Sequence, residues 1–139
     1  MPALLSVPIT APVTALIGPV LEVRGDVRMP EAVLIQGNFV YGSGGLTVDA
    51  WVQTSADGGN TWCDVGQFHF TTLSARSMYN LSALTPGTTA FTPTDGTMAA
   101  NTSKDGIIGS QWRVKYSSTG TYVGSTLNVH VATVGMTEQ

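Results

Sequence analysis

The chain has 139 residues, a mass of 14.5 kDa and a formal net charge of −3, with six lysines and arginines in total. This length fits one domain of ordinary size, and the scattered cations offer no basic stripe for a nucleic acid backbone. Charged residues make up 11% of the chain, against roughly 25% in typical soluble domains. So neutral a surface predicts coverage by partner subunits, with a neutral monomer as the alternative.

The cysteine count and the hydropathy pattern indicate the cellular compartment in which the chain folds. Cys63 is the single cysteine, which excludes an internal disulfide and predicts folding in a reducing cytoplasm. The longest apolar stretches are interrupted well short of the ~18 residues that a membrane helix needs. No basic segment precedes an apolar run as in a secretory signal. We therefore expect neither a membrane span nor secretion by a standard signal.

Residues 1–19 have prolines at positions 2, 8, 12 and 19 with apolar residues between them. Because proline cannot donate to the hydrogen-bond ladder of a central strand, this segment is predicted to be an extended N-terminal arm. We expect the arm to lie along another subunit, and the alternatives are that it wraps around its own domain or is partly disordered. Residues 20–139 then form the folded domain.

From residue 20 onward, alternating segments separated by turn-forming clusters predict an all-β chain. The predicted strands span residues 20–23, 32–41, 46–54, 61–70, 77–81, 111–116 and 127–134. The glycine-rich residues 42–45 predict a hairpin between two of these strands. In the strand that follows, Leu46, Val48, Ala50 and Val52 are predicted to face the core, with Trp51 on the opposite face.

Residues 55–62 (SADGGNTW) match the Asp-box, Ser-x-Asp-x-Gly-x-Thr-Trp, which occurs in sialidases and other β-rich proteins. The motif predicts a structural turn rather than catalysis, because its aspartate can accept hydrogen bonds from its own turn and its glycines permit positive φ. A single copy in 139 residues does not fit a sialidase propeller. The motif residues are Ser55, Asp57, Gly59, Thr61 and Trp62.

A longer string of turns and aromatic residues combines FVYGSGG at 39–45, DAWVQTSADGG at 49–59, TW at 61–62, DV at 64–65, Phe68, Phe70 and ARSMYNLS at 75–82. Over residues 20–134 this string resembles the capsid decoration, or cement, proteins of tailed bacteriophages and prophages. The resemblance implies a single antiparallel β-sandwich, jelly-roll or immunoglobulin-like, that assembles on the virion surface, often as a homotrimer. It further implies synthesis in the bacterial host cytoplasm and a clamp across adjacent major capsid subunits, with a neck or tail location as the alternative.

Under this hypothesis the protein stabilises the shell by its binding free energy and not by chemistry. The expected contact consists of apolar side chains of the arm and one outward-facing aromatic residue, namely Leu4, Leu5, Val7, Ile9, Val13, Leu16 and Trp51. Burial of Trp51 between two sheets is the alternative. The long loop at 85–109 is predicted to be either a partner contact or a surface excursion.

Candidate catalytic residues are few, so we expect no enzyme, no metal and no cofactor. His69 and His130 lie on separate predicted strands, and they form a metal set with Asp64 only if the fold brings them together. Ser43 lies in a predicted hairpin loop and not on a nucleophile elbow. Cys63 has no neighbouring cation in the sequence to activate it.

A carbohydrate-binding module is the alternative from a different functional class. Such a module needs two or three coplanar aromatic rings in solvent. The candidate platform residues are Trp51, Trp62, Trp112 and Tyr41. Their exposure distinguishes the two hypotheses.

Overall fold

The computed structural model describes residues 3–22, 32–82 and 87–134, and all regular structure in them is β-strand. No helix among these residues is long and apolar enough to cross a membrane. Parts of the predicted strand 20–23 and of the predicted loop 85–109 lie outside the described residues. The strands are β1 (Ala3–Ile9), β2 (Val13–Ile17), β3 (Leu21–Glu22), β4 (Ala32–Val40), β5 (Ser43–Gly44), β6 (Thr47–Ser55), β7 (Cys63–Phe70), β8 (Ala75–Ser82), β9 (Gln111–Thr119), β10 (Tyr122–Val123) and β11 (Ser125–Val134).

These strands form two antiparallel sheets and one short ribbon. Sheet A has the order β1-β11-β4-β8, and sheet B has the order β2-β9-β6-β7 with β3 also paired to β9. The ribbon pairs β5 with β10. The inward faces of both sheets contribute to one hydrophobic cluster, so the predicted all-β sandwich is confirmed.

The eight longest strands pair in the order of a rolled hairpin. The first pairs with the last, β1 with β11, and the same order continues with β2 and β9, β4 and β8, and β6 and β7. Rolling this hairpin adds the β11–β4 and β6–β9 pairs. The arrangement is a jelly roll. It excludes the immunoglobulin-like alternative, in which the last two strands are neighbours, because β9 and β11 lie in different sheets.

Alternation along the strands determines which side chains enter the core. On β6, Val48, Ala50 and Val52 are fully buried, as the period-2 pattern predicted. The prediction for Leu46 was wrong, because this residue precedes the strand and is 63% exposed. An aromatic group closes one part of the core, where the Phe39 ring lies 5.5 Å from the Phe70 ring and meets the edge of Tyr122 at 5.6 Å. Burial of a large apolar side chain contributes about 1.5–3 kcal/mol, so these layers supply the main stabilisation.

The structure incorporates residues 3–17 in both sheets, which corrects the predicted separate arm. The segment pairs with β11 as β1 and with β9 as β2, so it passes from sheet A to sheet B at residues 10–12. Leu4, Leu5 and Ile9 are buried in the core of their own domain. Proline is tolerated here because an edge strand has one side without a partner strand.

The predicted hairpin at residues 42–45 is also corrected. This segment connects β4 of sheet A to β6 of sheet B, and its central residues form β5 of the ribbon. Gly45 has a φ of +73° and passes over the Tyr122 ring, where an added Cβ would lie 2.3 Å from ring carbons. A tight hairpin and a tight crossing between sheets use the same glycine-rich residues, so the sequence pattern alone did not distinguish them.

Candidate functional site

The outer face of sheet B presents a grid of polar side chains on three adjacent strands. Backbone pairing places Asp49 of β6 between His69 of β7 and Ser117 of β9. It places Trp51 between Gln67 and Lys115 in the next row. A third row contains Asp64, Gln53 and Arg113. The outer face of a sheet in such a sandwich normally meets solvent, and this face is accordingly polar.

The Asp64 side chain binds the long loop to this face through a set of hydrogen bonds that we call the Asp64 lock. Its carboxylate is 1% exposed and accepts hydrogen bonds from the backbone N–H groups of Gly96 at 2.9 Å, Thr97 at 3.1 Å and Met98 at 3.2 Å. The Thr94 hydroxyl donates at 2.8 Å as well. A buried carboxylate is tolerable only with such a donor set. The predicted loop at 85–109 is thus packed, through residues 94–98, onto its own domain.

Gln53 links the Asp64 lock to the charged side chains beside it. Its amide nitrogen donates to Asp64 at 2.8 Å and to Asp95 at 2.6 Å, and its oxygen accepts from Arg113 Nε at 2.7 Å. Burial raises the pKa of Asp95, but hydrogen bonds from Lys115 and Gln53 and the charges of Lys115 and Arg113 outweigh it, so this pKa lies below its usual range. Lys115 and Arg113 therefore flank Asp95 with opposite charge.

The loop also covers the free edge of β7. The N–H of Gln67 donates to the Thr102 carbonyl at 2.9 Å, and the N–H of Lys104 donates to the Val65 carbonyl at 2.9 Å. The Gln67 side chain accepts from the N–H of Asn101 at 2.8 Å. The excursion thus functions as a short added strand that protects a sheet edge.

The Asp-box residues form the turn between β6 and β7. Asp57 accepts from the N–H of Thr61 at 2.9 Å and from its hydroxyl at 2.5 Å, and Ser55 Oγ donates to the same carboxylate at 2.8 Å. These bonds, led by the one from the Thr61 hydroxyl, lower the pKa of Asp57 to about 2. Gly59 has a φ of +92°, and Trp62 Nε1 donates to its carbonyl at 3.1 Å. The side chains of the motif are therefore all hydrogen-bonded within the turn.

The fold does not assemble the two-histidine and carboxylate set. His69 lies on the outer face of sheet B, where its Nδ1 is 2.6 Å from an Asp49 oxygen, whereas His130 lies on β11 in sheet A. The Asp64 carboxylate is engaged by the loop. Among residues 3–22, 32–82 and 87–134 there is no group of three or more potential metal ligands. Cys63 is half-buried, and burial, followed by the charge of Asp64, raises the pKa of its thiol.

The four candidate platform aromatics do not form an exposed plane. Trp112 is buried in the core at 1% exposure. Trp51 lies half-buried on the outer face of sheet B and donates to the Met98 carbonyl at 3.0 Å, while the Trp62 ring is covered by the Arg113 guanidinium at 4.3 Å. Tyr41 packs against Phe39 and Tyr122. The geometry therefore gives no support to a sugar platform built from these residues.

The predicted interface residues divide into three groups. Leu4, Leu5 and Ile9 are buried in the core and cannot meet a partner. Val7, Val13 and Trp51 are half-buried, the last beneath the loop rather than between the sheets. Leu16 is 46% exposed and remains available for contact.

Two further large apolar side chains are exposed close to Leu16 in the sequence, at the end of β2 and just beyond it. Ile17 and Val20 are each 51% exposed, and the first charged residue of the chain is Glu22. A groove of about 170 Å³ adjoins Leu16 and is lined by residues 8–11, Val13, Tyr116 and Ser118. We call Leu16, Ile17 and Val20 the β2 strip.

Sequence reasoning identified Leu16 but missed its two neighbours and the Asp64 lock. Ile17 was inside the predicted arm, whose apolar residues all looked equivalent because the pattern did not show which half entered the core. Val20 was assigned to the predicted strand at residues 20–23. Comparison of the chain with protein-family models, curated proteins and solved structures found no match.

Proposed function

We propose that this chain is a non-enzymatic virion structural protein that decorates a tailed-phage capsid and stabilises it by binding across adjacent major capsid subunits. The observation that supports the proposal is the β2 strip, which exposes three large apolar side chains on an edge without charge. Apolar patches on a protein surface mark contact sites, and these three side chains lie within five residues of one another in the chain.

The backbone of β2 determines how a partner can bind to this edge. The backbone of β2 is irregular, with a register shift between Val13 and Leu16 and a positive φ of 51° at Ala15. Pro12 and Pro19 flank the strand and lack an N–H. Such an edge is a poor template for strand addition, so the partner packs against side chains. The complementary capsid surface is then apolar and uncharged.

The low charge of the chain and the resemblance of residues 20–134 to decoration proteins support the same function. The jelly roll is compatible with it but does not select it, because this architecture also occurs in lectins and cupins. Stabilisation requires only that the protein binds the assembled shell better than its free subunits. Many weak copies on a lattice add their binding free energies.

The number of copies of this chain per virion tests where on the virion it is located. Virions purified from the source culture are analysed by quantitative mass spectrometry, and the ratio of this chain to the major capsid protein is measured. A ratio near one, or a simple fraction such as that of a trimer on a lattice site, is the expected result. A few copies per particle would assign the chain to the neck or tail, and its absence from virions would refute the proposal.

Particle binding tests the β2 strip. Leu16→Asp places a charge in the apolar contact. It should weaken binding to virions from which this chain has been removed by at least about tenfold, the effect of removing a central apolar anchor. Leu46→Asp is the matched control, because Leu46 is 63% exposed and lies outside the strip. Equal binding by the two variants would remove the β2 strip from the proposed contact.

A further inference from the structure

Three of the four outer edges of the sandwich are blocked, two by an irregular backbone with proline and one by the loop. On β1 the register shifts between Ala3 and Leu5, and Pro8 has no N–H to offer. On β2 the backbone is bulged at Ala15, as described above. Bulges and prolines are the usual means by which proteins prevent edge-to-edge pairing.

The third blocked edge is β7, which the loop covers. An isolated bridge joins Gly66 to Ser103, and the flanking backbone bonds involve Gln67 and Lys104. The N–H of Asp64 also donates to the Thr94 carbonyl at 2.9 Å. An incoming strand would have to displace this loop.

The fourth edge, β8, has none of these devices from Ala75 to Leu81. Among the described residues the loop reaches it at its last residue, where the N–H of Ser82 donates to an Asp105 oxygen at 2.6 Å. Its eight residues contain neither proline nor glycine, and its pairing with β4 proceeds without a register shift from Phe39↔Ala75 to Ala32↔Ser82. Within the described part of the chain no strand pairs with its other side. Tyr79 holds the strand in place, because its hydroxyl donates to the Gln67 carbonyl at 2.6 Å and its ring stacks on Phe68 at 5.0 Å. From Ala75 to Leu81 this edge is regular, and its outer side is paired with no described strand.

We propose that β8 is a self-association edge, at which β8 of a second copy adds antiparallel and joins the two A sheets into one continuous sheet. A two-fold axis through Met78 pairs each Met78 with its counterpart and each Arg76 with Asn80 of the other copy. Directly opposed residues lie on the same face of a sheet, so this register keeps both cores on one side.

Charge and exposure favour a second copy as the occupant. The four strands of sheet A contain no aspartate or glutamate, and Arg76 is their only lysine or arginine. Pairing about Met78 therefore opposes no like charges. Met78 and Leu34 are 48% and 38% exposed on the outer face of adjacent strands, and the two-fold contact joins their apolar surfaces across the axis.

This contact is independent of the proposed virion role, since it requires only the chain itself. An isologous contact closes after two copies. It therefore does not produce the homotrimer implied by the resemblance, but it would join two such trimers or two monomers. The β2 strip stays accessible, because β2 follows β1 at one side of the sandwich, and β11 and β4 lie between β1 and the β8 edge.

Sedimentation velocity over a concentration series tests the proposal with the full chain. The chain should dimerise reversibly, and Met78→Lys, which opposes two cations at the axis, should raise the dimer dissociation constant by about tenfold. Asn80→Asp creates two Arg76–Asp pairs across the axis and should lower this constant by about fivefold at low salt, an advantage that decreases as salt is added. A gain in association cannot result from unfolding.

Matched controls place the same charges elsewhere. Leu46→Lys and Thr126→Asp alter exposed residues, the second on the outer face of sheet A but two strands from the β8 edge. Both should change dimerisation less than about twofold, as expected for isolated surface charges. A chain that stays monomeric at all concentrations would overturn the proposal. Equal effects of Met78→Lys and Leu46→Lys, or weaker dimerisation by Asn80→Asp, would do so as well.

Discussion

Asp57 accepts hydrogen bonds only from residues of its own turn, and they lower its pKa from 3.8 to about 2. A carboxyl group whose pKa is depressed by folding contributes stability above its unfolded pKa, and this contribution is lost as the pH falls towards the folded pKa. Asp57→Asn should therefore be less stable than the wild type at neutral pH, and the difference should shrink between about pH 4 and 2. Urea unfolding across this pH range measures the effect. A difference independent of pH would show that the charge of Asp57 is irrelevant.

Asp64 differs from Asp57 because it is buried and holds residues distant in sequence. Asp64→Ala leaves the donors of Thr94, Gly96, Thr97 and Met98 without their acceptor. Unsatisfied buried groups cost about 1–3 kcal/mol each before relaxation, so we expect a loss on the order of 3 kcal/mol. Hydrogen exchange should accelerate at these loop amides before it does at core amides of β6. Unchanged loop protection in the variant would contradict the lock.

At the scale of elements, β1 and β2 test whether the N-terminal segment belongs to the domain. Leu5 is 1% exposed in the core and Leu16 is 46% exposed at the edge. Leu5→Ala should cost about 2–5 kcal/mol through lost burial and the remaining cavity, and Leu16→Ala should stay within about 0.5 kcal/mol of the wild type. Chemical denaturation of both variants measures these losses. Similar small losses would restore the interpretation of residues 1–19 as a detached arm.

The strands that could be predicted from the sequence are those whose alternation is local. Strands β4, β6, β7, β8, β9 and β11 were predicted within a few residues because each has one apolar face. The missed strands β1 and β2 contain or adjoin proline, and proline excludes a central strand without excluding an edge strand. Whether a segment lies at an edge is determined by the tertiary arrangement.

The same distinction applies to the candidate site. The Asp57 turn was predictable because its donors lie within four residues along the chain. The Asp64 lock was not, since its donors follow more than 29 residues later, at Thr94 to Met98. An aspartate at the start of a predicted strand gives no signal of what will cover it. Sequence patterns therefore describe turns and faces, whereas the covering of a face requires the fold.

For the whole molecule, the jelly roll determines the order in which contacts can form. Among the eight longest strands, β6 and β7 are the only consecutive pair that lies side by side in one sheet. The pairs that close the sandwich join distant parts of the chain, as in Ser6↔Asn128 of β1 and β11. Folds dominated by such non-local pairs refold in milliseconds to seconds because loop closure precedes the stabilising contacts. The β6–β7 hairpin is therefore the expected early structure.

This order predicts how two variants divide their effects between folding and unfolding. Asp57→Ala weakens the early hairpin, so it should mainly slow refolding. Leu5→Ala weakens the last closure, between β1 and β11, so it should mainly accelerate unfolding. Stopped-flow refolding and unfolding across denaturant concentrations measures both rates, with wild-type refolding expected on the order of one per second. If Leu5→Ala slowed refolding by the larger share of its stability loss, closure of β1 on β11 would precede the hairpin, because only interactions present in the transition state change the folding rate.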